Sequence, residues 1–510
     1  MLARRFIVSI GVVLALFLYL QLFANNRAVR YSSGFDEISK HIATHDTTIS
    51  IRPGALPTYT GWGRSGSTMA PFFRITRFPS VAMADTEVTL RLMCEGSPRC
   101  STLSPAFYVR AYGPSIITGK VNKIAGSEDQ YEIIFRPIDP GSYQVEVVLT
   151  FSDLPDMRLF PLPDEGSYTD FLYEGYHVSG SPFDLSVIGL SSPEPNDLPL
   201  CTAEQLLYNS DTTDRVRWRV VDAVNHKNHQ MNSSIVRHNV TLNGYQQSYN
   251  SLGVMMDYQF TDCRLMPEPT TKVNLFQCVR EPIHIIMIGD STFRLQEKVI
   301  RIYAAFNPMI RVSFLELYGG YFKTQLLTGP NVRQFVAEAA KSTERRVVLF
   351  NTGLHDIHRL CGGNEMVQDR QTYIRPDMPK SCVDLYKVAV ESFLKDIIKL
   401  PETDVKIFQT TTAGWPKYGN YGIAWDPRHG QPLPMDTSTV QYFNELAMNT
   451  LKMYPNIKVV DGFHVSYARP DHREIDSKSS TGRKLSHPGI EVISAMVRTW
   501  SMLFLQQICH

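Results

Sequence analysis

Two hydrophobic periodicities divide this chain, and no single sheet or helical bundle satisfies both. Between about residues 80 and 190, short runs alternate apolar and polar positions: Val88-Thr-Leu-Arg-Leu92, Phe107-Tyr-Val-Arg-Ala111, Tyr131-Glu-Ile-Ile-Phe135 and Tyr143-Gln-Val-Glu-Val-Val-Leu149. Turn residues separate the runs, the signature of antiparallel strands in a sandwich. Beyond Arg280 the runs become predominantly apolar (283–288, 312–317, 346–350, 405–409, 457–460) and alternate with helical spacing at 292–306, 331–341, 383–400, 437–453 and 490–508. Strand-then-helix units of this kind predict an α/β domain, a parallel sheet covered on both faces. In the first helix, Leu295, Val299, Ile302 and Phe306 form the stripe that packs on such a sheet.

Two such domains suit 510 residues. Ahead of them, residues 6–24 carry no charge and, at about 1.5 Å per residue, nearly span a hydrocarbon core of about 30 Å. The run is longer than a cleaved signal's apolar region. Residues 1–24 therefore read as a short cytoplasmic tail and signal-anchor helix, residues 25–79 as a stem, and 191–199 (SSPEPNDLP) as a hinge. The expected topology is single-pass type II, with the body in the secretory lumen or at the cell surface. Sequons at Asn232 and Asn239 agree with it. A net charge of +1 without a basic run argues against a nucleic-acid partner.

The eight cysteines include no CxxC, and in an oxidising lumen an even count suggests disulfides. Nearness in sequence suggests Cys94 with Cys100, Cys263 with Cys278, and Cys361 with Cys382.

Ligands bind open parallel sheets outside the carboxyl ends of the strands. Those ends read Gly289-Asp-Ser291, Gly319-Gly320, Asn351-Thr-Gly353-Leu-His355-Asp356, Thr410 to Trp415 and Asp461-Gly-Phe-His464. Ser291 falls between a strand and a helix, where its hydroxyl would sit beside N–H groups of partial positive charge, a nucleophile's place or simply a helix cap. A serine nucleophile needs a base and a group to orient it. His487, before Pro488 and the last helix, and His464 both qualify as base, and Asp461 could orient either. Oxyanion donors are expected among Gly319, Gly320, Asn351, Gly353 and His355.

These residues resemble a known pattern. Pro140-Gly-Ser-Tyr143 and Gly180-Ser-Pro-Phe183 are similar to segments of filamin-type immunoglobulin repeats, which implies such a sandwich over 80–190. Residues 200–510 resemble the SGNH/GDSL hydrolases, and within them the NXPE (neurexophilin and PC-esterase) proteins. The resemblance is carried by Asp262-Cys-Arg-Leu265, Gly289-Asp-Ser-Thr-Phe-Arg294, Asn351-Thr-Gly-Leu-His355, Leu485-Ser-His-Pro488 and Gln507-Ile-Cys509. It implies a three-layer αβα domain and acyl-ester hydrolysis or O-acetyl transfer on a glycan or glycoprotein, without a cofactor. Ser291 is the implied nucleophile, His487 the base with His464 the alternative, and Asp461 the orienting acid. Where that superfamily has Asn in the Gly-x-Asn block, this chain has His355.

Other readings compete. His355, Asp356 and His358 with His464, His472 or His487 could bind metal, but no HExxH spacing supports it. Gly61-Trp-Gly63-Arg-Ser-Gly66 fits GxGxxG with neither strand before it nor helix after. A glycosyltransferase would want an Asp-x-Asp pair, which is absent. The alternative from another class is a non-catalytic glycan-binding or protein-binding adhesion protein with a degenerate esterase-like domain.

Overall fold

The computed structural model describes residues 69–153, 173–190, 193, 197–208, 215–220, 248–250, 256–267, 275–305, 307–317, 321–322, 325–326, 330–341, 343–354, 356–357, 381–414, 437–470, 472–475 and 483–509. The expected membrane segment, both sequons and Cys361 lie outside them, and no helix among the described residues is long and apolar enough to cross a membrane.

The alternating runs form two facing sheets. Phe73–Arg77, Val88–Cys94, Gln130–Phe135 and Lys120–Lys123 make a four-stranded antiparallel sheet. Along Val88–Cys94 the period of two is plain: Val88, Leu90, Leu92 and Cys94 are buried while Thr89 and Arg91 are exposed. The facing sheet is built on Ala106–Tyr112, Ser115–Thr118, Gly141–Phe151 and Phe183–Ile188, with Val81–Met83 at one end. Between the sheets lies a core that includes Phe73, Leu90, Ile133, Val145 and Leu185. Tyr143 locks the turn before its strand by donating its hydroxyl to the Asp139 carbonyl (2.9 Å).

Two boundaries differ from the sequence reading. The sandwich begins at Phe73, inside the stretch read as stem, because Phe73 and Ile75 supply core side chains. Its second sheet also continues across the expected hinge. Val216–Val220 pairs with Ser115–Thr118, and Met256–Phe260 pairs with Val216–Val220, so one eight-stranded sheet draws on both halves of the chain.

The second body is a parallel sheet. Its strands are β1 (Ile283–Gly289), β2 (Ile310–Glu316), β3 (Arg345–Phe350), β4 (Val405–Gln409) and β5 (Ile457–Val460), in the spatial order β2-β1-β3-β4-β5. Its helices are α1 (Ser291–Ala304), α2 (Pro330–Ala340), α3 (Cys382–Ile397), α4 (Thr437–Leu451), α5 (Phe463–Tyr467) and α6 (Ile490–Ile508). Every residue of β1 is buried, and its side chains serve two cores in alternation. Ile283, Ile285 and Met287 pack with Val299, Tyr303, Met496 and Trp500 of α1 and α6. Ile286 and Ile288 pack with Val336, Val390 and Phe443 of α2, α3 and α4. Helices thus cover both faces, which is why these strands read as continuous apolar runs.

The two bodies meet through buried polar contacts. Trp218, in the added strand, donates its indole N–H to the Val465 carbonyl (3.0 Å), and Arg469 lies over its ring at 4.9 Å. Arg469 in turn pairs with Glu491 of α6 (3.1 Å), both side chains being almost wholly buried.

Of the expected disulfides, Cys94–Cys100 is present. Cys263 is joined to Cys201, not Cys278, and Cys278 is joined to Cys509. The correction follows from topology: parallel strands bring residues distant in sequence together, so proximity along the chain is a poor guide. Cys278–Cys509 ties the end of α6 to the segment before β1 across 231 residues. Its removal by Cys278→Ser with Cys509→Ser lowers the unfolding free energy by about 2–5 kcal/mol in urea titrations under oxidising conditions.

His284, on β1 at the end away from Ser291, generates an acid dependence. Arg311 donates to its Nδ1 (2.9 Å), so Nε2 carries the proton and donates to Ser313 (2.7 Å). Burial first, and then Arg311, push its pKa from 6.5 down to about 4. Between those values the unfolded chain binds the proton and the native chain does not, so stability falls as pH drops from about 6.5 to about 4. His284→Gln removes that part of the acid sensitivity, measured as the shift of the urea midpoint between pH 7 and pH 4.5; equal shifts in both proteins would refute it.

Candidate active site

The end of β1 is shaped so that one hydroxyl is left available. A Cβ on Gly289 would meet Phe293 ring atoms at 2.6 and 2.8 Å, so glycine lets the first turn of α1 close onto the strand. Asp290 caps that turn, accepting from the Thr292 N–H (2.9 Å) and hydroxyl (2.6 Å). Ser291 is therefore the first helical residue and not the cap. Its Oγ lies 2.7 Å from His487 Nε2, with both residues buried. With the ring proton on Nδ1, Nε2 accepts the serine proton, the geometry of a nucleophile and its base. The serine also sits at the positive end of a 14-residue helix.

Asp461 is committed elsewhere. Its Oδ2 is 2.8 Å from His464 Nδ1, and its Oδ1 accepts from the His464 N–H (2.9 Å) and the Thr410 hydroxyl (3.4 Å). Thr410 holds the turn in place, since its Oγ1 accepts from the Gly462 and Phe463 N–H groups at 2.9 and 3.1 Å. The three-residue spacing across the start of α5 is what lets Asp461 reach both the backbone and the ring of His464. Tyr208 stacks on that ring, with centroids 6.0 Å apart and planes at 19°. Burial and then Asp461 push the Tyr208 hydroxyl up to about 12. Ser291 thus meets His487, and Asp461 meets His464, the histidine read as the alternative base.

The oxyanion expectations also divide. Asn351 lies beside β1, its N–H bonded to the Ile288 carbonyl (3.0 Å). Its side-chain nitrogen donates to the Gln409 carbonyl (2.9 Å) and Thr411 Oγ1 (3.2 Å). A backbone carbonyl can only accept, which fixes the amide orientation. Asn351 therefore offers Oδ1, buried and without a hydrogen bond, and is an acceptor where a donor was expected. Gly353 has φ +151°, and a Cβ there would run into Thr411 Oγ1, which donates to the Thr352 carbonyl (2.9 Å). Gly319, Gly320, His355 and His358 lie outside the described residues. Asp356, weighed above as a metal ligand, is fully buried and accepts from the Thr352 hydroxyl.

Asp290, Thr410 and Thr411 fall on strand ends named above but were given no role, and Tyr208 was not singled out. The role of Asp290 was legible in Asp-Ser-Thr at a strand-to-helix junction, where Asp is as good a cap as Ser. Tyr208 acts through distant neighbours, and nothing local marks it.

Comparisons with known proteins add little. No family model matches the chain, and no curated protein matches it. Among solved structures, the crystal structure of the Lin-41 filamin domain is similar at 13% identity, with 23% of this chain and 94% of that one covered and a TM-score of 0.15.

Gly353→Ala is expected to disturb the Thr411 hydroxyl and, through it, the Asn351 amide. Backbone strain of about 1–3 kcal/mol lowers the melting temperature, whereas Gly126→Ala, where a Cβ meets nothing within 4 Å although φ is +80°, bears the φ strain alone. A larger loss at Gly353 than at Gly126 is the expected outcome, from its φ and the Thr411 contact together.

Proposed function

We propose that this protein is a serine-dependent acyl-ester enzyme, an esterase or O-acyltransferase acting on glycans, held in the secretory lumen by the uncharged apolar segment at residues 6–24. The observation that carries the reading is the 2.7 Å contact between Ser291 Oγ and His487 Nε2 at the N-terminus of α1. It lies at the carboxyl end of β1, where the strand order reverses between β2 and β3, the usual ligand crevice of an open parallel sheet. The resemblance of residues 200–510 to the SGNH-type hydrolases supports the same reading.

In this mechanism Ser291 attacks the acyl carbonyl as its proton passes to His487. The tetrahedral oxyanion forms at the helix N-terminus, where amide dipoles favour negative charge. His487 then returns the proton to the departing sugar oxygen, leaving an acyl-serine. Water or a second sugar hydroxyl, deprotonated by His487, releases the acyl group. The unpaired Oδ1 of Asn351 is suited to accept a hydroxyl or N–H from the substrate. No cofactor is needed at any step.

A second reading, a binding protein with a degenerate site, draws on one observation: the hydrogen bonds of Asp461 go to His464 and Thr410 instead of His487. Acetate release from an aryl acetate separates the two. On the catalytic reading Ser291→Ala and His487→Ala each cut turnover by at least about 1,000-fold with folding unchanged, while His464→Ala costs far less. Activity in Ser291→Ala equal to that of the native chain would overturn the catalytic reading.

A further inference from the structure

Among the described residues, the second sheet of the sandwich ends at Val81–Met83. Among the described residues this strand pairs on one side only, parallel to Phe183–Ile188, with Val81 opposite Ser186, Ala82 opposite Val187 and Met83 opposite Ile188. The backbone bonds flanking that ladder come from even-numbered residues: the Ala84 N–H donates to the Ile188 carbonyl (2.8 Å), and the Ser80 carbonyl accepts from the Ser186 N–H (2.9 Å). Backbone groups alternate sides along a strand, so the N–H and C=O of Val81 and of Met83 face outward. The same residues carry exposed apolar side chains, Val81 at 52% and Met83 at 51%, and Ile188 at 50% shares their face. A sheet edge that is both unpaired and apolar is a template for another strand.

We propose that this edge pairs antiparallel with the same edge of a second copy of the chain, about a two-fold axis at Ala82. In that register Val81 of each copy lies opposite Met83 of the other, and all the outward N–H and C=O groups of both residues are bonded. The neighbouring register, centred on Val81, would set Met83 against Pro79, which has no N–H to give. Side chains directly opposite share a face, so Val81, Met83 and Ile188 of the two copies merge into one apolar strip. Charge fits as well. Exposed Arg77 precedes the strand, and exposed Asp85 and Glu87 follow it, Asp85 already meeting Arg136 at 3.1 Å. Antiparallel pairing sets the basic flank of each copy against the acidic flank of the other, whereas parallel pairing would set like against like.

The test uses the full chain in detergent at about 10–100 µM, the range in which small interfaces associate. Position 82 lies opposite itself as a non-hydrogen-bonded pair, with Cα atoms about 4.5 Å apart, within disulfide reach. Mild oxidation is expected to link Ala82→Cys chains at least about tenfold more than Val81→Cys chains, and adding Met83→Glu is expected to abolish the link. Sedimentation of the chain without any added cysteine should give a dimer that Met83→Glu or Val81→Lys weakens at least about tenfold, a check independent of whether Ala82→Cys folds. Four results would each overturn the proposal. These are a monomer throughout the range, preferential linking through Val81→Cys, a dimer indifferent to Met83→Glu, or a monomer whose Val81 and Met83 amides resist hydrogen exchange because its own chain covers the edge.

Discussion

A strand buried on both faces has no side chain to spare for chemistry, so whatever β1 presents must come from its end. That constraint organises the C-terminal body. Ile283, Ile285 and Met287 are owed to one core and Ile286 and Ile288 to the other, which fixes β1 at the centre of the sheet and aims the chain into α1 at one point. Gly289 makes the turn close, Asp290 satisfies its amides, and Ser291 is the first residue whose hydroxyl meets another element, at His487. The opposing face depends on α6, almost wholly buried and held at its far end by Cys278–Cys509. His487 enters on the strand Arg483–Pro488, which Gly489 links to the start of α6.

The second pair, Asp461–His464, is organised differently. It closes on itself within one short turn and is braced by Thr410 and by the face of Tyr208. The Ser291 pair joins the start of α1 to the strand Arg483–Pro488, 196 residues apart in sequence, and the Asp461 pair belongs to a single turn after the edge strand. Long-range packing governs the first, and a few local hydrogen bonds govern the second.

Much of this was legible in the sequence, and the reasons differ by element. Period-two runs and apolar runs exposed the strands because burial on one face or two leaves different imprints. Ser291 and His487 stood out because glycine, proline and strand ends constrain where a polar residue can sit. The sequence left Asp461 open to either histidine, and the structure pairs it with His464, because a carboxylate chooses by three-dimensional distance, which spacing alone does not encode. The donor state of Asn351 depended on Gln409 and Thr411, on a strand nearly sixty residues away. Of the disulfides, Cys94–Cys100 was legible because it closes a local turn, whereas Cys263 with Cys278 erred for the same reason: Cys278 met Cys509 through the fold and not along the chain.

The sandwich and the α/β body are commonly imagined as beads on a string, and the eight-stranded sheet makes that picture wrong for this molecule. Because Val216–Val220 and Met256–Phe260 complete a sheet begun before residue 120, each half supplies part of the other's hydrogen bonding, and Trp218 carries the join down to α5. Recombination at the Pro-rich segment would sever a ladder and not a linker. The two halves are therefore bound to be inherited together, and a lineage that lost the sandwich would have to rebuild the support beneath α5 and α6.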